Sequence, residues 1–180
     1  EGFGWADMEM VQSITASARH AMRETAFKAQ ELGYEVIYGH TDSVFVKVRD
    51  VEDAKQLRVL LNDFISREIF REPVELEFEK FASKFFLSKK KNRYCGYLSW
   101  KDGEHLVEDK FFVMGFEMKK SNETKVAKKF QENLLRMIAS FDEKKEVIDY
   151  CNKEYAKVVK GEVSLREISK RSRLRRNIED

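Results

Sequence analysis

The chain has 180 residues, of which 42% are hydrophobic and 37% are charged, with a formal net charge of +2. This composition suits one domain with an apolar core, or a domain with an appendage. No apolar run reaches the roughly 18 residues that a membrane span needs, so we expect no membrane partner. The cysteines, Cys95 and Cys151, lie too far apart for a C-x-x-C pair and predict neither a zinc site nor a disulfide framework. We therefore expect a reducing, cytoplasmic compartment.

Helices and a hairpin are predicted for the first half of the chain. Apolar residues recur every three or four positions over 8–32 and 51–70, which predicts two amphipathic helices. Between them, apolar runs at 34–38 and 44–48 flank polar turn residues and predict a β-hairpin. Residues 74–81 alternate apolar and charged side chains, a pattern typical of a half-buried strand.

Strands and then helices are predicted for the second half. The residue types favour strands at 84–88, 93–100 and 111–118. From 122 to 160 the apolar period becomes helical and indicates two helices, broken near 140–142. The order of elements predicts an α+β fold, in which helices back an antiparallel sheet and a mainly helical portion follows.

Charge is distributed unevenly along the chain. Residues 50–81 carry nine acids and five bases, whereas residues 82–130 carry twelve bases and six acids. Residues 160–176 add seven bases against two acids. A basic later part is expected of a protein that grips a polyanion, but a solvated charged surface gives the same pattern. Charge alone leaves both interpretations open.

The turn of the predicted hairpin carries one carboxylate, Asp42, between two apolar strands. Strand packing would fix such a turn and hold the carboxylate at a defined place beyond the sheet edge. Mg²⁺ prefers hard oxygen ligands and often takes one or two carboxylates together with substrate phosphates. A single turn aspartate is more often turn chemistry alone. The residues by themselves do not decide between a metal ligand and a simple turn.

Residues 12–47, QSITASARHAMRETAFKAQELGYEVIYGHTDSVFVK, resemble the palm of family B DNA polymerases. In that family a helix with an S-I-T-x-x-x-R pattern leads into the Y-G-D-T-D-S hairpin, known as motif C. Three later segments resemble further family motifs in the family's order. They are an L-E-x-E strand at 76–80, a K-K-x-Y motif at 91–94 (here a KxRY-like variant) and a G-x-E-x-x-R segment at 115–120.

The resemblance implies a domain division and a metal site. Residues 1–120 would form the C-terminal part of the palm, and residues 121–180 a mainly helical thumb portion with a basic tail. The family uses two Mg²⁺ ions a few Å apart, held by an aspartate of motif A and the second aspartate of motif C. Asp42 matches that second aspartate, so it is the implied metal ligand and catalytic residue. The implied supporting residues are Thr41 and Ser43. Glu79 is a further supporting candidate, with ordinary strand solvation as the alternative.

His40 departs from the family pattern, because it stands where motif C has its first aspartate. The substitution removes one negative charge beside the metals, so we expect weaker Mg²⁺ binding. A neutral imidazole can still hydrogen-bond near the primer terminus, which makes His40 a second catalytic candidate. The competing interpretation is a decayed palm without catalytic activity.

The resemblance also implies a surface that contacts the primer–template duplex. Lysine and arginine neutralise phosphates and give sequence-independent, salt-sensitive binding, while a tyrosine packs against sugars. Asn92 stands where the family often has a cation. The basic tail at 170–176 either follows duplex phosphates or docks on an acidic face of a partner. The implied DNA-binding residues are Lys90, Lys91, Arg93, Tyr94, Lys119 and Lys120.

Motif A, the fingers and the exonuclease have no counterpart in this sequence. We therefore expect a larger polymerase subunit that carries them, as in the split family B enzymes of some archaea. Primer–template DNA, a dNTP and a sliding clamp are the other implied partners, in DNA replication at the nucleoid. One aspartate cannot hold two ions, so the chain alone is expected to be inactive. A structural or regulatory subunit without catalysis and a plain nucleic-acid-binding module remain as alternatives.

Overall fold

The computed structural model describes residues 8–40 and 42–170. The chain divides into two compact units, the first ending at Glu79 and the second beginning at Lys80. One sheet has the order β1-β2 and the other β3-β4-β5, and all of the pairings are antiparallel. Helices accompany the strands in both units, so the predicted α+β class is confirmed.

The first unit contains two helices and a hairpin. Its elements are α1 (Met8–Glu31), β1 (Glu35–Gly39), β2 (Val44–Lys47), α2 (Val51–Phe64) and a π-helical segment (Ile65–Phe70). The two predicted helices and the hairpin are confirmed. The helix predicted over 51–70 differs only in its last turns, which widen from α to π geometry.

The second unit contains a three-stranded sheet followed by helices. The two helices predicted between 122 and 160 are confirmed, with a break at Phe141, whose φ of 62° is left-handed. The elements are β3 (Lys80–Leu87), β4 (Tyr94–Lys101), β5 (Glu104–Met114), a 3-10 turn (Glu117–Lys119), α3 (Lys125–Ser140), α4 (Lys144–Val159) and α5 (Leu165–Ile168).

The strand predicted at 111–118 is placed wrongly at both ends. A two-residue turn, Asp102-Gly103, joins β4 directly to β5, with Lys101 opposite Glu104. Both turn residues have positive φ, 50° and 97°, as an Asp-Gly hairpin turn requires. β5 therefore starts at residue 104, and it ends at residue 114 because the next residue, Gly115, leaves the strand conformation with φ +73°.

Residues 74–79 do not form the predicted strand, although their side chains do alternate between half-buried and exposed. Side chains from the preceding helical segments take the place of a partner strand. Asn62 accepts from the Leu76 backbone N–H at 2.7 Å and donates to the Leu76 carbonyl at 3.4 Å. Ser66 exchanges two similar hydrogen bonds with the backbone of Val74, at 3.0 and 3.1 Å. The alternation thus reflects an extended segment held on a helix.

Small side chains on α1 form part of the core of the first unit. The second half of the predicted apolar face is buried at Ala21, Thr25 and Ala29, whereas Met8, Val11 and Ile14 in its first half are exposed. Ala29 packs with Leu57 and Leu61 of α2, and half-buried residues of the hairpin lie against them. Because small residues allow close approach, α1 and α2 together support the hairpin.

A buried carboxylate fixes both ends of the hairpin. Asp53, in the first turn of α2, is only 4% exposed. It accepts hydrogen bonds from the Tyr34 hydroxyl, just before β1, and from both the backbone N–H and the guanidinium of Arg49, just after β2, each at 2.9 Å. The donors from Arg49 and Tyr34 hold the pKa of Asp53 well below its usual value. The start and the end of the hairpin therefore share one anchor.

The second unit has its own core between the sheet and α3. Cys95 of β4 and Val113 of β5 pack with Leu135 and Ala139 of α3. Burial raises the pKa of the Cys95 thiol to about 11, so this thiol stays protonated and serves packing. The division into palm and thumb parts at residue 120 stays a prediction, since α3 packs on the sheet that precedes it.

No helix in the described part of the chain combines the length and the apolar character needed to cross a lipid bilayer.

We predict that Asp53→Asn lowers the midpoint of thermal unfolding at pH 7 by several degrees, because an amide cannot accept from all three donors. The lowered pKa means that the stabilisation by Asp53 is complete at neutral pH and is lost as pH falls below about 4. Unfolding followed by circular dichroism at pH 7 and pH 3 should show a smaller acid-induced loss in the variant than in the wild type. Asp63→Asn, on the exposed side of the same helix, is the matched control. Equal midpoints for the two variants at pH 7 would contradict the role of Asp53.

Candidate functional site

The hairpin presents Asp42 at its tip. The His40 backbone N–H donates to the Ser43 carbonyl oxygen at 2.8 Å and closes the turn next to the last strand pair, Gly39 and Val44. The side chain of Asp42 is 86% exposed, so its carboxylate is open to a ligand. Ser43 is half-buried, whereas Thr41 lies outside the described residues.

His40 lies beside Asp42 and follows an aromatic pair. The Tyr38 and Phe45 rings are in contact across the hairpin, with centroids 5.7 Å apart, and the Tyr38 and His40 rings are 6.5 Å apart. His40 Nδ1 lies 3.8 Å from an Asp42 carboxylate oxygen. The two candidate catalytic residues from the sequence are therefore adjacent at the hairpin tip.

The donor set at the hairpin tip fits part of a metal site. A carboxylate oxygen is a suitable ligand for a hard divalent cation, and Asp42 offers one that is exposed. Among the residues that the structure describes, no group of three or more potential ligands gathers at one place. Asp42 is thus suited to be one ligand of a site that other groups complete. Glu79, the supporting candidate, is exposed and directly precedes β3.

The cationic segment forms the turn between β3 and β4 in the second unit. The Ser88 N–H donates to the Arg93 carbonyl at 2.9 Å, and the Lys90 N–H donates to the Ser88 hydroxyl at 3.1 Å. Lys90 and Lys91 are exposed on this turn. Asn92 has a φ of 60°, a left-handed conformation that asparagine tolerates better than most residues. A residue that differs from the family pattern therefore suits the shape of the turn.

Gly115 brings the end of β5 onto this turn. A Cβ atom at this position would lie 1.9 Å from the Asn92 carbonyl oxygen and 3.2 Å from Cγ of Arg93. Only glycine allows so close an approach, and its positive φ of 73° is also easiest for glycine. The segments at 91–94 and 115–120, separate in sequence, are thereby joined.

Glu117 links cations from the two segments. Its carboxylate lies 3.4 Å from the Arg93 guanidinium and 2.5 Å from the Lys120 ammonium. The hydrogen bond from Lys120, with the further charges of Arg93 and Lys90, holds the pKa of Glu117 below its usual value. The carboxylate is therefore charged at neutral pH and acts as a shared counter-ion.

The other predicted DNA contacts lie on the same two segments. Tyr94, the first residue of β4, is half-buried in an aromatic group, with its ring 5.7 Å from Phe85 and 6.2 Å from Phe112. Lys119 is exposed in the 3-10 turn. The structure thus brings together all six of the predicted DNA-binding residues in the second unit, while Asp42 and His40 belong to the first. Most of the basic tail lies outside the described residues.

Three residues that organise these sites were not identified from the sequence as functional. Asp53 lies in the first turn of α2, where an acid is common and gives no signal of its own. Gly115 and Glu117 are the glycine and the glutamate of the G-x-E-x-x-R match, but only the lysines of that segment were assigned a role. The sequence shows a glycine and an acid close to cationic residues. It does not show that Gly115 contacts Asn92 or that Glu117 contacts Arg93, because those contacts depend on the fold.

Comparison with known proteins gives the family. The model of DNA polymerase family B matches residues 6–180, so the chain belongs to the family B DNA polymerases. DNA polymerase 2 of Aeropyrum pernix is 29% identical over 91% of the chain, and the DNA polymerase of Archaeoglobus fulgidus is 27% identical over 91%. DNA polymerase II of Escherichia coli is 28% identical over 97% of the chain.

The chain spans about a fifth of the length of these relatives. It covers 18% of the Aeropyrum protein, 19% of the Archaeoglobus protein and 23% of the Escherichia protein. The matched portion includes the hairpin with Asp42 and the two joined cationic segments. Membership of the family is therefore established for nearly the whole chain, over a minor part of each relative.

We predict that Gly115→Ala destabilises the protein by about 1–3 kcal/mol, because the added methyl group meets the Asn92 carbonyl and the positive φ is strained. Gly103→Ala is the matched control, since Gly103 also has a positive φ but a Cβ atom there would lie within 4 Å of none of the described residues. Chemical denaturation of both variants measures the difference. A loss for Gly115→Ala no larger than for Gly103→Ala would show that the contact with Asn92 is unimportant.

Proposed function

We propose that the chain supplies the motif C part of a DNA-directed DNA polymerase, with Asp42 as one ligand of the catalytic metal site. The observation that carries this proposal is an exposed carboxylate at the tip of a hairpin that is anchored at both ends, in a chain that belongs to the family. The reaction is nucleotidyl transfer from a dNTP to a primer 3′-hydroxyl. DNA and dNTP are the substrates.

Mg²⁺ is the proposed metal, because a carboxylate with open space for phosphate oxygens and water suits this ion. Bound as a pair, such ions would favour the deprotonated form of the attacking primer hydroxyl and stabilise the negative charge on the leaving pyrophosphate. Asp42 supplies one carboxylate, and an aspartate of motif A on another polypeptide supplies the second. This chain's part is to hold its carboxylate at a fixed position, which the Asp53 anchor of the hairpin favours.

His40 adjusts the charge of this site. An imidazole in place of a carboxylate leaves less negative charge around Asp42, and cation binding should weaken accordingly. The ring also lies within reach of Asp42, where it can donate or accept a hydrogen bond near the primer terminus. We propose that the site remains active with a lower affinity for Mg²⁺.

The cationic surface of the second unit is the proposed binding surface for the primer–template duplex. Its exposed lysines can reach phosphates, and Tyr94 offers a ring and a hydroxyl to the sugar edge. Gly115 joins the two cationic segments, so their cations can act together on one stretch of the DNA backbone. Binding of this kind is independent of sequence and sensitive to salt.

A larger polymerase subunit with motif A, the fingers and the exonuclease is the proposed partner. In the described part of the chain the β1–β2 sheet has two strands, so each strand keeps an edge on which a further strand can pair. The first half of α1 is exposed and carries apolar side chains that such a partner would cover, namely Met8, Met10, Val11 and Ile14. A sliding clamp and a location at the nucleoid are proposed from the family alone.

The substitution at His40 favours one second candidate, a structural or regulatory subunit that binds duplex DNA without catalysis. A plain nucleic-acid-binding module would instead use the cationic surface alone and would need no partner. Metal-dependent nucleotide incorporation distinguishes the catalytic role from both alternatives.

We predict that Asp42→Asn lowers primer extension by the assembled enzyme roughly 100- to 1,000-fold, because a lost metal ligand removes several kcal/mol of transition-state stabilisation. His40→Asp should lower the Mg²⁺ concentration needed for half-maximal extension. The measurement is primer extension against Mg²⁺ concentration with the co-purified complex. Glu35→Gln, which changes an exposed acid at the other end of β1, is the matched control.

Unchanged incorporation by Asp42→Asn would remove the metal-ligand assignment. Absence of incorporation by the wild-type complex, with duplex binding retained, would favour the structural or regulatory subunit. Salt-sensitive duplex binding by the chain with no associated partner would favour the simple binding module.

A further inference from the structure

Glu117 is an acid at the centre of a surface that is otherwise cationic. It is 37% exposed, and its two carboxylate oxygens face different cations, Oε1 toward Arg93 and Oε2 toward Lys120. Arg93 comes from the turn before β4, and Lys120 follows the 3-10 turn after β5. One carboxylate therefore joins side chains from two segments that are more than twenty residues apart in sequence.

The backbones of the two segments are already in contact, through Gly115 and Asn92. That contact fixes the main chain but leaves long side chains free to rotate. Arginine and lysine each lose considerable rotamer freedom when they are held in one place. A carboxylate that holds both of them ahead of binding removes part of that cost from the binding step.

Both cations keep donors for a further acceptor. Arginine presents five N–H donors, and one guanidinium nitrogen of Arg93 reaches Glu117. Lys120 has three N–H donors, and its side chain is 58% exposed. Glu117 can therefore stay in place while phosphate oxygens approach the same two cations.

Two physical roles for Glu117 predict opposite results. If it acts only as a negative charge, it repels the DNA backbone, and its removal should tighten binding. If it orders the two cations, its removal should loosen binding even though a repulsive charge is lost. Aspartate separates the roles further, because it keeps the charge but is one methylene too short to span both cations.

We infer that Glu117 is a positioning residue for duplex DNA, which holds Arg93 and Lys120 as a pair on neighbouring backbone phosphates. This inference rests on the proposed function, because it requires that the surface binds duplex DNA. The ligand chemistry is a row of phosphodiesters, with no dependence on base sequence.

The test measures binding of a fluorescent primer–template duplex at several salt concentrations. It uses the full chain together with any polypeptide that co-purifies with it. Glu117→Gln and Glu117→Asp should each weaken binding about 3- to 10-fold, the effect of one or two side chains that must be ordered on binding. The slope of log affinity against log salt should also fall by about one, because one phosphate contact is lost.

Glu154→Gln is the matched control, because Glu154 forms the same kind of i,i+3 pair with Lys157 on α4. Its affinity and slope should equal those of the wild type. Lys91→Ala calibrates the loss of one phosphate contact, since it should lower the slope by about one without disturbing the Glu117 pair. Thermal unfolding of each variant should match that of the wild type, because Glu117 is partly exposed.

Tighter binding by Glu117→Gln, or wild-type binding by Glu117→Asp, would overturn the inference. The proposed function fails separately: in that case the wild type itself would show no salt-sensitive binding to the duplex.

Discussion

The carboxylate of Asp53 is the constraint on which the rest of the first unit depends. It takes hydrogen bonds from residues on both sides of the hairpin, Tyr34 before β1 and Arg49 after β2, while its own helix packs on α1. Burial of a charge is costly unless the charge is well paired, so this anchor forms only when both hairpin ends are in place. The anchor thereby links the folding of the unit to the position of its hairpin turn. Asp42 at the tip stays exposed on a hairpin whose two ends are anchored, which suits the metal ligand that we propose it to be.

The sequence was sufficient where local chemistry decides the structure. The apolar period predicted α1, α2, α3 and α4, and the apolar runs around a polar turn predicted the hairpin, since the helical and strand periods differ clearly. The family motifs placed Asp42 at the turn and grouped the cations at 90–94 and 119–120, and the structure brings these two groups of cations together. Family membership is confirmed, whereas the roles of these residues in metal and DNA binding stay predictions.

The sequence was insufficient where a partner distant in the chain decides. Residues 74–79 alternate like a strand, but Asn62 and Ser66 satisfy their backbone from a helix, and alternation cannot reveal which group does so. Glu117 contacts Arg93, which lies twenty-four positions earlier in the sequence. Glycine is needed at position 115 because the Asn92 carbonyl lies so close. These contacts join two cationic segments into one surface, which is the surface that we propose for duplex binding. A motif identifies the residues of such a surface, but only the fold shows how they are held.

Asp42 is the proposed metal ligand, and the two joined cationic segments are the proposed contacts with duplex DNA. We propose that a motif A aspartate on another polypeptide completes the metal site around Asp42. The most direct measurement is Mg²⁺-dependent primer extension by the chain alone, by the polypeptide that co-purifies with it from its native source, and by the two recombined. We predict extension by the recombined pair and none by either component alone. Extension by this chain alone at the rate of the pair, or a stable pair that incorporates no nucleotide at any Mg²⁺ concentration, would contradict the proposal.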